Sequence, residues 1–398
     1  MRRRRPDVSR RLHAGLDRAW RAPAAAASHW ADAGALDARL LRQRARGAFW
    51  DVLAASGLTL LVTREYEHLV LALRAGRRGP EISYLPLPHP SGLAVDRRRG
   101  VVYVASTRNP NQLVTLAPAH AMREPGKVTA APLASRPLVP VRARFLPGGL
   151  YLHDLALIGG ALHANAVAQN AVVRFDARGG WRRVWWPRTL DRLGQRAFAR
   201  NYLQLNSIAA GPTLAASFFT ASVEAPDARR PGHPEFPVDR RGVVFGGASG
   251  RVVARGLTRP HSARLHRGRL WVDDSGYGRV GVVADGRFEP VATLPGWTRG
   301  LAFAGDVAFV GTSRVLPRFH QYAPGLVPAR CECALHALEA RTGRVLGSLV
   351  WPYGNQIFAI ETVPARFATG LPLRAGAPRD DARALFYGFV TREREETP

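Results

Sequence analysis

A chain of 398 residues with 46% hydrophobic side chains has enough apolar material for a large buried core, which excludes a disordered protein. Its 57 cationic side chains, all arginine but Lys127, stand against 30 acidic ones, and a formal charge of +27 raises nucleic acid or an anionic membrane surface as partners. The arginines are scattered through turns such as DRRRG at 96 and DARRP at 227, with no basic stripe interleaved with aromatics, so nucleic acid is disfavoured; no run of about 18 apolar residues exists to span a membrane.

Arginine in place of lysine, with 39 glycines and 30 prolines, is the composition of a high-GC bacterial genome. The N-terminal MRRRRPDVSRRLHAGLDRAW begins like the charged head of a secretory leader, but no apolar segment follows. A cytoplasmic location is expected. Residues 1–48 read as an Arg-rich N-terminal extension, and no core contacts are expected of residues 1–46. The two cysteines, Cys331 and Cys333 in RCECAL, cannot close a zinc site alone and are poorly placed for a disulfide; both are expected to be reduced thiols.

After residue 48 the chain reads as short strands separated by Gly, Pro, Asp and Asn, with little helical periodicity. The fold class is all-β. A unit recurs: a polar pair, a strand, a tight turn, a second strand, a loop, then two further strands. Copies begin at His89, His153, Asn206, His261 and Arg299, and the copy at His261 shows four strands at about 261–266, 269–273, 278–284 and 287–293. A sixth first strand, NQIFAIETVP from 355, has no partners after it, whereas the stretch from 56 supplies three strands lacking a first. Radial repetition with one blade shared between the termini closes a ring without long open edges. The expectation is a six-bladed β-propeller over residues 49–363, its last blade closed by strands from both termini, followed by a C-terminal tail at 364–398.

The stretches LHDLALIGGALHANA, QLNSIAAG, VVARGLTRPHSARLHRGRLWVDDSGYG and ATLPGWTRGLAFAGDVAFVGTSRV resemble an uncharacterised bacterial family of propeller-like proteins, a domain of unknown function. The resemblance covers about residues 50–363. A more distant likeness is to the gluconolactonase and senescence-marker group of six-bladed hydrolases, which hold a divalent metal on the axis. That likeness implies an asparagine at Asn206, but His261 stands where the group has an aspartate, and His153 with Asp154 stand where it has a glutamate.

In a propeller the first strand of each blade lines the central channel, so the residues that begin these strands converge on one mouth. The candidate catalytic set is His153, Asp154, His261 and Arg299: imidazoles for proton transfer, a carboxylate to orient them and a guanidinium for an anionic group. The candidate ligand-binding set is His89, Ser91, Asn206, Ser262, Asp274, Asn355 and Gln356. If a cofactor is present it is a divalent metal on His153, Asp154, Asn206 and His261, a donor set suited to zinc, manganese or iron. Two long insertions, at 220–241 and 313–332, are expected beside this mouth. His163, His266 and His336 are expected to be structural, as are five tryptophans read as inter-blade packing. The resulting expectation is a small, anionic or sugar-like ligand bound at the polar mouth. The alternatives are a metal-dependent, lactonase-like hydrolase using the same ring, and an adaptor for a protein, nucleic acid or membrane surface.

Overall fold

Strands joined by tight turns pair with their neighbours in the chain, and six times over they build one antiparallel sheet. The computed structural model describes residues 22–108, 111–119, 122–123, 136–146, 148–177, 179–375 and 388–389. The basic residues 1–21 and most of the tail beyond 375 lie outside them. From the axis outward, blade 1 is Pro90–Asp96, Val101–Ser106, Gln112–Pro118 and Leu138–Phe145, and blade 2 is Leu152–Ile158, Ala161–Ala166, Ala171–Phe175 and Trp181–Trp185. Blade 3 is Leu205–Ala209, Phe218–Ala221, Gly242–Gly246 and Val252–Leu257. Blade 4 is Pro260–His266, Arg269–Asp274, Arg279–Ala284 and Arg287–Thr293. Blade 5 is Trp297–Ala304, Val307–Ser313, Ala334–Glu339 and Val345–Val350. In blade 6 the innermost strand, Ala359–Pro364, pairs antiparallel with Leu58–Arg64, and Leu69–Gly76 and Gly79–Pro86 follow outward. The protein is a six-bladed β-propeller.

Apolar residues on alternate positions pack between facing blades. Trp185, Phe219 and Phe245 fill one such layer, and Leu60, Leu71, Phe309 and Leu335 another; each buried side chain is worth about 1.5 to 3 kcal/mol. Two features differ from the all-strand reading. Phe49–Ser56 is a helix that buries Phe49 and Leu53, spaced four apart on one face, against Phe309 and Trp351, and Gly57 ends it in the left-handed conformation at φ 62°. Arg44–Gly47 forms a fifth, outermost strand on blade 5, paired with Val350 to Gly347. The extension therefore touches the propeller, contrary to expectation, because the outer edge of blade 5 offers unpaired backbone groups.

The recurring polar pair has a backbone cause. In blades 1 to 5 the innermost strand shifts register near its start, between Pro90 and Leu93, Leu152 and Leu155, Leu205 and Ser207, His261 and Arg264, and Thr298 and Leu301. A bulge breaks the strict alternation of side chains, so two successive polar residues are freed from opposite faces of the sheet. The second member of each pair stitches blades together. Asp154 Oδ2 accepts from Ile208 N (2.9 Å), Ser207 Oγ from Ala263 N (2.9 Å) and Ser262 Oγ from Gly300 N (2.7 Å). In blade 1 this place is Gly92, where a Cβ would meet Leu155 N at 2.5 Å, so the blades come together without a side chain between them.

Candidate functional site

Just before the innermost strand, blades 1 to 4 each place a non-glycine residue in the left-handed region: His89 (φ 45°), Tyr151 (φ 53°), Gln204 (φ 55°) and Arg259 (φ 54°). Such a conformation costs about 1 to 3 kcal/mol and recurs at functional sites. Here two of the four residues, Tyr151 and Arg259, border a pocket at the channel mouth. The pocket encloses about 570 Å³, part of it open to solvent. Arg259, Arg299 and Arg314 bring positive charge to it, Tyr66, Tyr151, Trp297 and Phe319 its aromatic walls, and Glu65 a carboxylate.

Arg259 and Arg299 are partly buried, and among the described residues neither has a carboxylate within salt-bridge distance. Arg259 Nη1 donates to Ser222 Oγ (2.9 Å), and its guanidinium carbon lies 4.7 Å from the centre of the Tyr322 ring. Burial lowers its pKa to about 10. Arg299 lies 3.4 Å over the Phe358 ring and donates through Nη2 to His153 Nε2 (2.8 Å); burial again lowers its pKa. His153 completes this contact by donating Nδ1–H to the Asn206 carbonyl (2.9 Å), so both of its nitrogens are engaged. Burial, and then the Arg299 charge, hold its pKa well below the ordinary histidine value.

His261 lies beside His153, with ring centres 5.6 Å apart. Its Nδ1 is 2.7 Å from the Arg259 carbonyl and 3.0 Å from Ser275 Oγ. A carbonyl can only accept, so Nδ1 carries the proton and Nε2 is a bare acceptor, buried without a protein partner. Burial, reinforced by Arg299 and Arg259, keeps this ring neutral as well. His153, Asn206, His261 and Arg299 surround a small axial chamber beneath the mouth, with Asp154, Ser207, Ser262 and Arg264. The structure thus brings the four candidate catalytic residues to one place.

It does not bring together a metal site. Among the described residues no three His, Cys, Asp or Glu side chains are grouped so as to hold a metal ion. Within the expected quartet, the Nε2 lone pair of His153 is taken by Arg299. Asp154 accepts from Leu155 N and Ile208 N and pairs with Arg264 (3.1 Å). Four donors free to converge on one ion are not available there.

Several expected ligand-binding residues lie elsewhere or serve the backbone. His89 turns to His68 and His29, with ring centres at 4.3 and 5.3 Å, and burial lowers its pKa to about 3. Ser91 Oγ donates to the Leu152 carbonyl (3.0 Å), and Ser262 makes the stitch to Gly300. Asp274 is fully buried, accepts from Thr258 N (2.6 Å) and pairs with Arg279, so it braces the turn and does not line the mouth. Asn355 and Gln356 do line the mouth; their backbone N–H groups are fixed by Glu67, itself paired with the fully buried Arg64 (3.2 Å). The two insertions meet over the mouth. Gly232 N donates to Tyr322 Oη (3.1 Å), Gln321 Nε2 donates to the His233 carbonyl (3.2 Å), and Leu316 and Phe319 form part of the wall.

The profile of DUF4915, a domain of unknown function, matches residues 47–370. The chain belongs to this family. No curated protein matches the sequence. Among solved structures the chain is similar to one in a nidogen–laminin complex, at 12% identity and a TM-score of 0.49, over 77% of this chain and 98% of that one. It is also similar to streptogramin B lyase (14% identity, TM-score 0.40, 73% and 75% of the two chains). A gluconolactonase from Xanthomonas campestris is a third such structure, at 14% identity and a TM-score of 0.40 over 75% of this chain and 86% of that one. The expected resemblance to an uncharacterised family, a domain of unknown function, is met. No helix among the described residues is long and apolar enough to cross a membrane.

Sequence reasoning missed Glu65, Tyr66, Tyr151, Arg259 and Trp297. A signal for two of them was present: Tyr151 and Arg259 each stand two residues before the histidine of a polar pair. Tyr66 and Glu65 come from the turn between the second and third strands of blade 6, the side on which the mouth opens; burial and Glu65 push the Tyr66 hydroxyl up to about 12.

Proposed function

We propose that the DUF4915 propeller binds a small anionic ligand, of carboxylate or phosphate type, at the mouth of its channel. One observation carries this reading: Arg259 and Arg299, two partly buried guanidinium groups at one pocket, have only a hydroxyl, a neutral imidazole and aromatic faces as partners. Glu65, the carboxylate of the same pocket, acts on Arg299 but lies outside ion-pair distance of both guanidinium groups. Buried positive charge without a close counter-ion is unfavourable, and an entering anion makes the direct contact that Glu65 does not. The aromatic walls suit the uncharged remainder of a small organic acid or sugar phosphate. A metal-free catalytic role for His261, as a base through Nε2, is a second reading, favoured by that bare nitrogen.

Calorimetric titration of the full chain with acetate, citrate and inorganic phosphate tests the binding reading. At least one of these anions should bind, and Arg259→Met and Arg299→Met should each weaken it by about tenfold or more, as for loss of a buried charge-assisted contact. Melting temperatures should change little, since each substitution also removes an uncompensated charge. Intact binding in variants that melt much earlier would make the pair a structural network instead.

A further inference from the structure

The axial chamber adjoins the mouth, because His153 and Arg299 line both. Their unpartnered polar atoms differ in kind. At the mouth, Arg259 Nε and Trp297 Nε1 are N–H donors without acceptors, with Gln356 Oε1 the one acceptor among them. In the chamber, His261 Nε2 and Asn206 Oδ1 are acceptors without donors, on side chains each 2% exposed. His261 cannot relieve this by changing tautomer, because its Nδ1–H is committed to the Arg259 carbonyl. Asn206 places one of its two amide N–H groups on Ser222 Oγ (3.1 Å).

An unsatisfied buried acceptor costs about 1 to 3 kcal/mol, and a donor that enters the chamber recovers it. That donor must also tolerate its surroundings. Arg264 is balanced by Asp154 (3.1 Å) and Glu361 (3.7 Å), but Arg299 lines the chamber without an ion-pair partner among the described residues and Arg259 adjoins His261, so a further positive charge, such as an ammonium, is disfavoured beside His261. A neutral hydroxyl meets both conditions. We infer that the axial chamber is a hydroxyl subsite, and that the ligand of the mouth is a hydroxy acid: its acid group on Arg259 and Arg299, its hydroxyl donating to His261 Nε2. The inference rests on the anion-binding reading above and narrows it to a substrate class.

Matched acids separate the two. The full chain is titrated by calorimetry with lactate, propionate and alanine, and with malate and succinate, at one pH and ionic strength. Each hydroxy acid should bind about tenfold more tightly than its deoxy partner, and alanine no better than propionate. His261→Phe should erase that preference, so that each hydroxy acid and its deoxy partner bind alike in the variant. Should His261→Phe fail to fold, Asn206→Leu, similar in volume, should reduce the preference in the same way. Equal affinity for hydroxy and deoxy acids would overturn the hydroxyl subsite while leaving the anion site standing. A preference for alanine, or one that survives the substitution, overturns it too. If none of the acids binds, the anion-binding reading falls and takes the subsite with it.

Discussion

His153 and His261 occupy like places in blades 2 and 4, yet hydrogen bonding leaves only His261 with a free nitrogen. Residue type alone could not separate them, because the difference lies in Arg299, which reaches His153 from three blades away along the chain. The same limit hid Arg259, an arginine among many until its left-handed backbone turned it over the mouth. His336 was read as structural, and it is: Nε2 lies 3.0 Å from Thr312 Oγ1 and Nδ1 2.8 Å from Ser348 Oγ. Burial lowers its pKa to about 4. Unfolded, this imidazole takes up a proton below about pH 6.5; folded, it resists until about pH 4. Its contribution to stability is therefore complete above pH 6.5 and is lost as the pH falls towards 4, at about 1.4 kcal/mol per pH unit. Glu361 works in the opposite sense, since burial raises its pKa to about 7 and its protonated form favours the fold at lower pH. Comparing variants at fixed pH removes that background. His336→Asn should cut the stability difference between pH 6.5 and 4.5, measured by urea unfolding, by about 2 to 3 kcal/mol. An unchanged difference would show that His336 titrates normally.

At the scale of elements, the polar pair is the feature the sequence displayed most clearly and explained least. Its recurrence marked five innermost strands, but the bulge that divides its labour between axis and neighbouring blade is a matter of register, and register depends on partner strands. This is why Asp154 and Ser262, which line the axial chamber, also hold blades together. The helix Phe49–Ser56 and the strand Arg44–Gly47 escaped notice for a related reason. Four residues reading RARG carry no strand pattern of their own and are recruited only by the open edge of Val345–Val350. They matter to stability nonetheless. Arg46 pairs with Glu332 (2.9 Å), and the fully buried Arg64 donates Nη1–H to the Leu40 carbonyl (2.8 Å). Deleting residues 1–47 strips Arg64 of that acceptor and uncovers the edge of blade 5. The melting temperature should fall by about 2 to 5 °C, and light scattering should show self-association. A truncated chain that melts with the full one and stays monomeric would reduce this strand to an incidental contact.

For the whole molecule, blade 6 carries the closure of the ring, and it was legible from strand arithmetic alone: a first strand without followers near one end, three followers without a first near the other. Ala359–Pro364 runs along Leu58–Arg64 through six paired positions, Ala359 N donates to Thr63 Oγ1 (3.0 Å), and Phe358 N donates to the Thr63 carbonyl (2.8 Å). The same segment carries Ile357, Phe358 and Ile360 into the layers on either side of the blade, and Phe358 is the ring beneath Arg299. Structure and site therefore share one strand. Removing residues 355–398 should expose the inner edge of Leu58–Arg64, leave two inter-blade layers short of apolar side chains and withdraw the aromatic face that supports Arg299. The expected product aggregates, shows no cooperative melt and binds none of the small acids. A milder variant tests the coupling without unfolding the ring: Phe358→Leu keeps the blade's apolar volume but removes the π face. It should fold with a cooperative transition and bind citrate or phosphate several-fold more weakly than the parent, because Arg299 would lose the contact that fixes its direction. A monomeric, cooperatively melting product of the 355–398 deletion would contradict closure by the two ends of the chain. Unaltered anion binding by Phe358→Leu would instead detach the site from the strand that closes the ring.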